Sequence, residues 1–299
     1  MPELAEVELA RRQWAAFHGD AISSVDVHPK ARIYRDCPAP ALRILKGKKL
    51  LSSKAHGKRM LFSFGPELHL EVHLGMSGKL STAPRNHEEH KHDHLIIRTD
   101  KAALIFNDYR MFGRVMLHDC TDPWAELPPQ PQDSKFSLAR VRKLIERHPK
   151  KPLKALLLDQ NACPGIGNWM ADEICWRLGL HPAIPTGQLD PAPLRKEIRF
   201  VTLGALKHVT EKNETASVYG FAPGTYVANV PPKTWLFQHR WKKGGTCPKC
   251  KTDLARDTIA SRTTAWCPAC QAMTPSCPLQ GKTALEARVR LPRHRPQRA

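Results

Sequence analysis

The sequence predicts an α+β chain of two domains. A helix precedes an antiparallel β-sandwich or barrel, and a helical half follows that ends in a four-cysteine zinc hairpin. Three observations predict this. Apolar residues recur at helical spacing over residues 3–17, then alternate through short runs punctuated by glycine. Past a proline-rich break the period turns helical again. Near the end, Cys247-Pro-Lys-Cys250 and Cys267-Pro-Ala-Cys270 stand sixteen residues apart.

In the first helix, Leu4, Val7, Ala10, Arg11, Trp14 and Phe17 form one stripe. Leu68, Leu70, Val72 and Leu74 alternate with His69, Glu71 and His73, the pattern of a half-buried strand. Further strands are expected at 61–64, 95–97, 104–106 and 115–117, within an N-terminal domain spanning 1–118. Residues 119–137 are proline-rich and aperiodic, and read as a linker. Helices are expected at 138–147, 153–160, 167–178 and 193–210, inside a helical domain of 138–235. The zinc segment occupies 236–272. A tail from 273 to 299 is rich in arginine and reads as a disordered arm.

The chain has 299 residues, and 47 Lys+Arg against 28 Asp+Glu give a formal charge of +19. A surplus of that size favours a polyanion such as nucleic acid, because each neutralised phosphate releases counterions. No apolar run is long enough to span a bilayer, so no membrane role is expected. Three acids in the first eight residues exclude a signal peptide. The nine cysteines are odd in number and four fall in two close pairs, which points to a reducing, cytoplasmic setting.

Cys247, Cys250, Cys267 and Cys270 have the spacing that closes a tetrahedron of thiolates around one Zn²⁺. Four protein ligands leave no open position, so the metal is expected to be structural. Between the pairs, a β-hairpin carrying Arg262 and Thr263 is expected. Pro164-Gly-Ile-Gly-Asn168 joins two helical stretches, and free N–H groups at a helix start reached by glycines form an anion site. The chain opens Met-Pro-Glu-Leu-Ala-Glu-Val-Glu. Removal of Met1 leaves Pro2 with a secondary amine beside the Glu3 carboxyl, a pairing that fits either chemistry or a plain helix start.

These pieces occur in order over about 270 residues: MPELAEVE (1–8), HGKRML (56–61), HLGMSGKL (73–80), KHDHL (91–95), DYRMFG (108–113), LLLDQNACPGIGNWMADEI (156–174) and the zinc segment with Gln271. Together they resemble the formamidopyrimidine-DNA glycosylase/endonuclease VIII family of base-excision repair enzymes. The resemblance implies a two-sheet sandwich, then a helix-two-turn-helix and a zinc-finger hairpin, with damaged double-stranded DNA bound between the halves by a monomer.

It also assigns roles. Pro2 is the nucleophile, whose α-amine has a reference pKa near 8 and so is far less protonated at neutral pH than a lysine. It attacks C1′, displaces the base and leads through a Schiff base to β,δ-elimination. Glu3 is the general acid at the sugar ring oxygen, and Glu6 supports it. Lys58 binds phosphate beside the lesion. Arg110, Asn168 and Arg262 grip the DNA. Met76, Arg110 and Phe112 fill the gap left by the flipped base.

The sequence departs from the family pattern in places. Ala5 stands for a second proline. Tyr109 and Met111 replace a proline and an arginine. A lesion-capping loop is expected near 215–232. Leu4 favours oxidised purines over the oxidised pyrimidines of endonuclease VIII-like enzymes; a non-catalytic zinc-ribbon DNA-binding protein is the alternative of a different class. The histidines of 86–94 are read as strand-entry hydrogen-bonders, not metal ligands.

Overall fold

The computed structural model of the protein describes residues 2–28, 31–34, 37–210, 231–241 and 244–273. The arm beyond Met273 lies outside these residues, as does the loop expected near 215–232 except for its last two positions.

Helix α1 (Leu4–Ala15) has two apolar faces where the sequence suggested one stripe. Leu4, Ala5 and Leu9 enter the core of the helical domain, while Val7, Ala10 and Trp14 enter the β core. The reason is position: α1 packs against helix α5 (Pro191–Thr210) as well as against strands β2 (Ser52–His56), β3 (Arg59–Ser63) and β5 (Lys79–Pro84). A helix wedged between two cores buries both flanks, and this carries the chain's first residues to the junction.

The β domain is a sandwich, not a closed barrel. One sheet has the order β1-β6-β7-β5, with β1 at Ile22–Val27, β6 at Asp93–Thr99 and β7 at Ala102–Asn107. The other runs β2-β3-β4-β8, with β4 at Leu68–His73 and β8 at Arg114–Asp119. Every pairing is antiparallel. Met60, Phe62, Leu70 and Val72 from the second sheet meet Leu80, Leu95, Leu104 and Phe106 from the first. Trp14 closes the end of this core, its ring 5.0 Å from that of Phe62.

Asp119 closes β8 and residues 120–137 contain no helix or strand, yet the segment is not a slack linker. Trp124 is buried and donates its indole N–H to Glu71 at 2.8 Å. Gln130 accepts from Gly57 N at 2.7 Å, and Arg199 of α5 donates to the carbonyls of Pro131 and Asp133. Phe136 is fully buried in the helical core. The segment therefore fastens the two domains together.

Helix α2 (Leu138–Arg147) begins at Ser137, whose hydroxyl accepts from Arg140 N. Helices α3 (Leu153–Leu158) and α4 (Asn168–Leu178) are joined by two successive turns, the expected helix-two-turn-helix. Strands β9 (Ala255–Ile259) and β10 (Arg262–Trp266) form the four-cysteine hairpin. Its two-residue turn puts Ala260 and Ser261 at φ +52° and +58°, so the strands are joined tightly without glycine. No described helix is long and apolar enough to cross a membrane.

Candidate active site at the domain junction

Helix α4 starts at Gly167, which has no side chain with which to cap it. The missing acceptor comes from elsewhere in the chain. The carboxyl group of Glu3 accepts from Gly167 N at 2.8 Å, Trp169 N at 2.9 Å and Met170 N at 3.3 Å. The anion site expected at this turn thus exists, and the anion that fills it is the protein's own Glu3. Gly167 is required here because a Cβ would lie 2.3 Å from Cδ of Glu3. Leu4 N donates to the Gly165 carbonyl at 3.1 Å, so the start of α1 rests along the whole turn.

Glu3 is buried, and its pKa rises from the usual 4.5 to about 7. Burial is the main cause and the nearby Glu6 adds to it, while Lys58 and the amides of Trp169 and Gly167 pull the other way. Glu6 accepts from Glu3 N at 3.1 Å and from the Trp169 indole at 3.3 Å, and burial raises its pKa too. A carboxyl held near 7 can give or take a proton at neutral pH. Pro2, half-buried, is joined directly to this clamped residue.

Lys58 sits on the two-residue turn between β2 and β3, after Gly57 at φ +58°. A Cβ at Gly57 would come within 3.1 Å of Gly165 N and the Pro164 side chain, so this turn docks on the Gly-rich one. The Lys58 ammonium donates to the Ile166 carbonyl at 2.8 Å. Burial lowers its pKa, Glu3 raises it, and the charge of Arg262 lowers it again. Arg262 is exposed at the start of β10.

Asn168 does not cap α4. Its amide donates to the Thr263 carbonyl at 2.8 Å, and its oxygen is buried without a partner among the described residues. One turn on, Asp172 anchors the same strand: it accepts from Lys154 at 2.6 Å, from Arg240 at 2.6 and 3.0 Å, and from Ala265 N at 3.2 Å. Lys154 also donates to Thr263 O and Thr264 Oγ1. This buried network holds the hairpin on α4, and the sequence reading missed it because Lys154 looks like one basic residue among many.

Met76, Arg110 and Phe112 come together on the other side of the cleft. A Cβ at Gly75 would strike the Phe112 backbone at 2.4 Å, so the two loops touch. Asp108, fully buried, receives Gly113 N, Arg110 N and the Ser77 hydroxyl, which fixes both loops. Met76 and Phe112 are 38% and 46% exposed, so neither is a core residue. The Arg110 guanidinium lies 4.8 Å over the Phe112 ring. Met111, at φ +53°, turns back against the β core and presents no cation. Lys58 and Phe112 line one cleft of about 460 Å³, together with His56, His73, Gln160 and Pro164.

The four cysteine sulfurs lie within 4.8 Å of one another, and three pairs are 3.3, 3.4 and 3.9 Å apart. Sulfurs bound at ~2.3 Å to one tetrahedral ion stand roughly 3.8 Å apart, so the set fits a metal ion. The Trp176 indole N–H donates to Cys247 Sγ at 3.3 Å. Of the other cysteines, Cys37, Cys163 and Cys175 are buried and Cys120 is exposed. His94 Nε2–H donates to the Asp108 carbonyl at 2.8 Å and His87 pairs with Asp93, so these histidines order a strand entry.

The model of the formamidopyrimidine-DNA glycosylase N-terminal domain matches residues 1–115, and that of the formamidopyrimidine-DNA glycosylase H2TH domain matches residues 127–211. The formamidopyrimidine-DNA glycosylase of Chloroflexus aurantiacus is 31% identical over 280 residues, covering 91% of this chain and 98% of its own. That of a Roseiflexus species is 33% identical over 282 residues, covering 91% and 100%. Among solved structures, Lactococcus lactis Fpg bound to DNA with an oxidised pyrimidine superposes with a TM-score of 0.77 at 28% identity, covering 90% of this chain and 99% of that one. The same bacterium's Fpg with Fapy-dG DNA gives 0.76 at 26% identity and the same coverage.

Proposed function

The chain belongs to the formamidopyrimidine-DNA glycosylase family and is a DNA glycosylase, and from that premise we propose that it excises oxidised purines and cuts the strand as an AP lyase. The observation that carries this reading is the clamped Glu3, a carboxyl poised near neutrality and bonded in sequence to Pro2. In the proposed reaction the Pro2 amine, freed by removal of Met1, attacks C1′ of the damaged nucleotide. The C1′–N bond breaks and the base leaves with its electron pair, which takes up the proton that the Pro2 nitrogen loses. Glu3 delivers its proton to the ring oxygen as the ring opens, leaving an iminium between Pro2 and C1′. That iminium acidifies the C2′ proton, and β- then δ-elimination release the two phosphates.

Lys58 and Arg262, close enough for the charge of one to act on the other, supply positive charge for the phosphates beside the lesion. Asn168 keeps one free acceptor and is tied to the hairpin, so its contribution is to place that hairpin against the duplex. Met76, Arg110 and Phe112 occupy the stack once the base is out. Zn²⁺ held by Cys247, Cys250, Cys267 and Cys270 supplies structure to the hairpin and no chemistry. The protein acts as a monomer in the cytoplasm.

Borohydride reduction on a duplex with an abasic site tests the reading. Wild-type protein is expected to form a covalent adduct, and Pro2→Gly to lose base excision while binding the duplex within a few-fold. Absence of an adduct with wild type, or undiminished excision by Pro2→Gly, overturns it.

A further inference from the structure

Helix α2 carries a basic ridge that the catalytic cleft does not use. Arg140, Lys143 and Arg147 fall on one side of the helix at i, i+3 and i+7, opposite the buried Val141 and Ile145. With Lys135 they line a groove of about 350 Å³. Residues 135–151 hold seven Lys and Arg and a single acid, Glu146. Neither Lys135, Lys143 nor Arg147 is in an ion pair with a described residue. Arg140 is braced by a hydrogen bond of 2.8 Å to the Asn161 carbonyl, and its Nε is buried without a partner.

The groove continues the catalytic cleft. Pro128 lines the cleft and Pro129 lines the groove, while Asn161, which receives Arg140, lines the cleft as well. A row of unpaired cations that runs on from a DNA-binding cleft is complementary to a phosphate backbone leaving that cleft. Arg140 and Arg147 are seven residues apart, or ~10 Å along the helix. That spans about three phosphates at the 3.4 Å rise of one strand.

Resting on the function proposed above, we infer that the α2 ridge, through Lys135, Lys143 and Arg147, binds duplex backbone flanking the lesion and extends the footprint beyond the catalytic cleft. The ridge adds affinity and salt sensitivity without touching the reacting nucleotide.

The test is equilibrium binding to abasic-site duplexes across a salt series, with wild type and the triple variant Lys135→Ala/Lys143→Ala/Arg147→Ala. One duplex is trimmed to the cleft, and one is extended on both sides. On the long duplex the slope of log K against log salt is expected to shrink by about 2.7 in the variant, at ~0.9 per phosphate. On the trimmed duplex both proteins are expected to give equal slopes, equal borohydride trapping and equal melting temperatures. An unchanged slope on the long duplex overturns the proposal, as does an equal loss on the trimmed one. A slope that shrinks on an extended single strand but not on an extended duplex also overturns it. Failure of wild type to be trapped on the trimmed duplex strikes instead at the Pro2 reading, so the two failures are distinct.

Discussion

Replacing Gly167 with alanine adds one carbon where Glu3 meets α4. The new Cβ would stand 2.3 Å from Cδ, 2.4 Å from Oε1 and 2.5 Å from Cγ of Glu3. Carbon atoms rest at ~3.5–4.0 Å, so the carboxyl group has to move by more than about 1 Å. The backbone itself, at φ −125° and ψ −157°, accepts alanine without strain, so the whole effect is the clash. Moving Glu3 breaks three hydrogen bonds from N–H groups at the start of α4. Losing a helix cap costs ~1 kcal/mol, and uncompensated burial of the groups adds to it, for about 3 kcal/mol in all. That is a fall of roughly 6 to 12 °C in Tm at ~2–4 °C per kcal/mol. The displaced acid also loses its aim, and a misplacement of ~1 Å lowers rates by about 10²-fold. Thermal melting and single-turnover excision measure both. Gly65→Ala is the control, since its nearest neighbour would be 3.8 Å away. If Gly167→Ala melts and reacts like wild type, Glu3 is not held at the head of α4.

Four further expectations rest on the same structure. The folded protein holds the Glu3 proton more tightly than the unfolded chain, so its stability falls as pH rises from 4.5 to about 7, and Glu3→Gln flattens that slope. Excision by wild type falls above pH ~7 as the acid form is lost, and a pH–rate profile that is level there contradicts the assignment. Asp172→Asn leaves Lys154 and Arg240 as buried cations with a neutral partner, costing about 3–5 kcal/mol and loosening β10, which hydrogen exchange at Thr264 and Ala265 reads. Chelation, or Cys267→Ser, is expected to disorder the hairpin and cripple DNA binding while the sandwich core stays folded; intact binding after complete metal loss contradicts it.

The strands with regular alternation were legible, because β4 and β7 sit within their sheets and bury one or both faces. Strands β1, β2 and β5 were not. All three are edge strands; β1 carries a register shift between Ile22 and Ser24 that breaks the period of two, and Ser52–His56 has no bulky apolar residue. The four-cysteine cluster was readable from spacing because four thiolates that share one metal ion must converge whatever surrounds them. Pro2, Glu3 and Lys58 acquire meaning from their neighbours in MPELAEVE and HGKRML, and the structure brings the elements that carry them together at the Gly-rich turn. What no linear pattern carried was the contact between Glu3 and Gly167, 164 residues apart. A glycine at the head of a helix that lacks any capping side chain was the only hint. The same holds for Asp172, whose partners come from three separate segments.

The most direct test of the Pro2 assignment is to digest the borohydride-trapped complex and locate the DNA remnant by mass spectrometry. The remnant is predicted on the nitrogen of Pro2 in a peptide that has lost Met1. Its presence on Lys58, the other amine of the cleft and one whose pKa burial lowers, contradicts the assignment. So does active protein that still carries Met1.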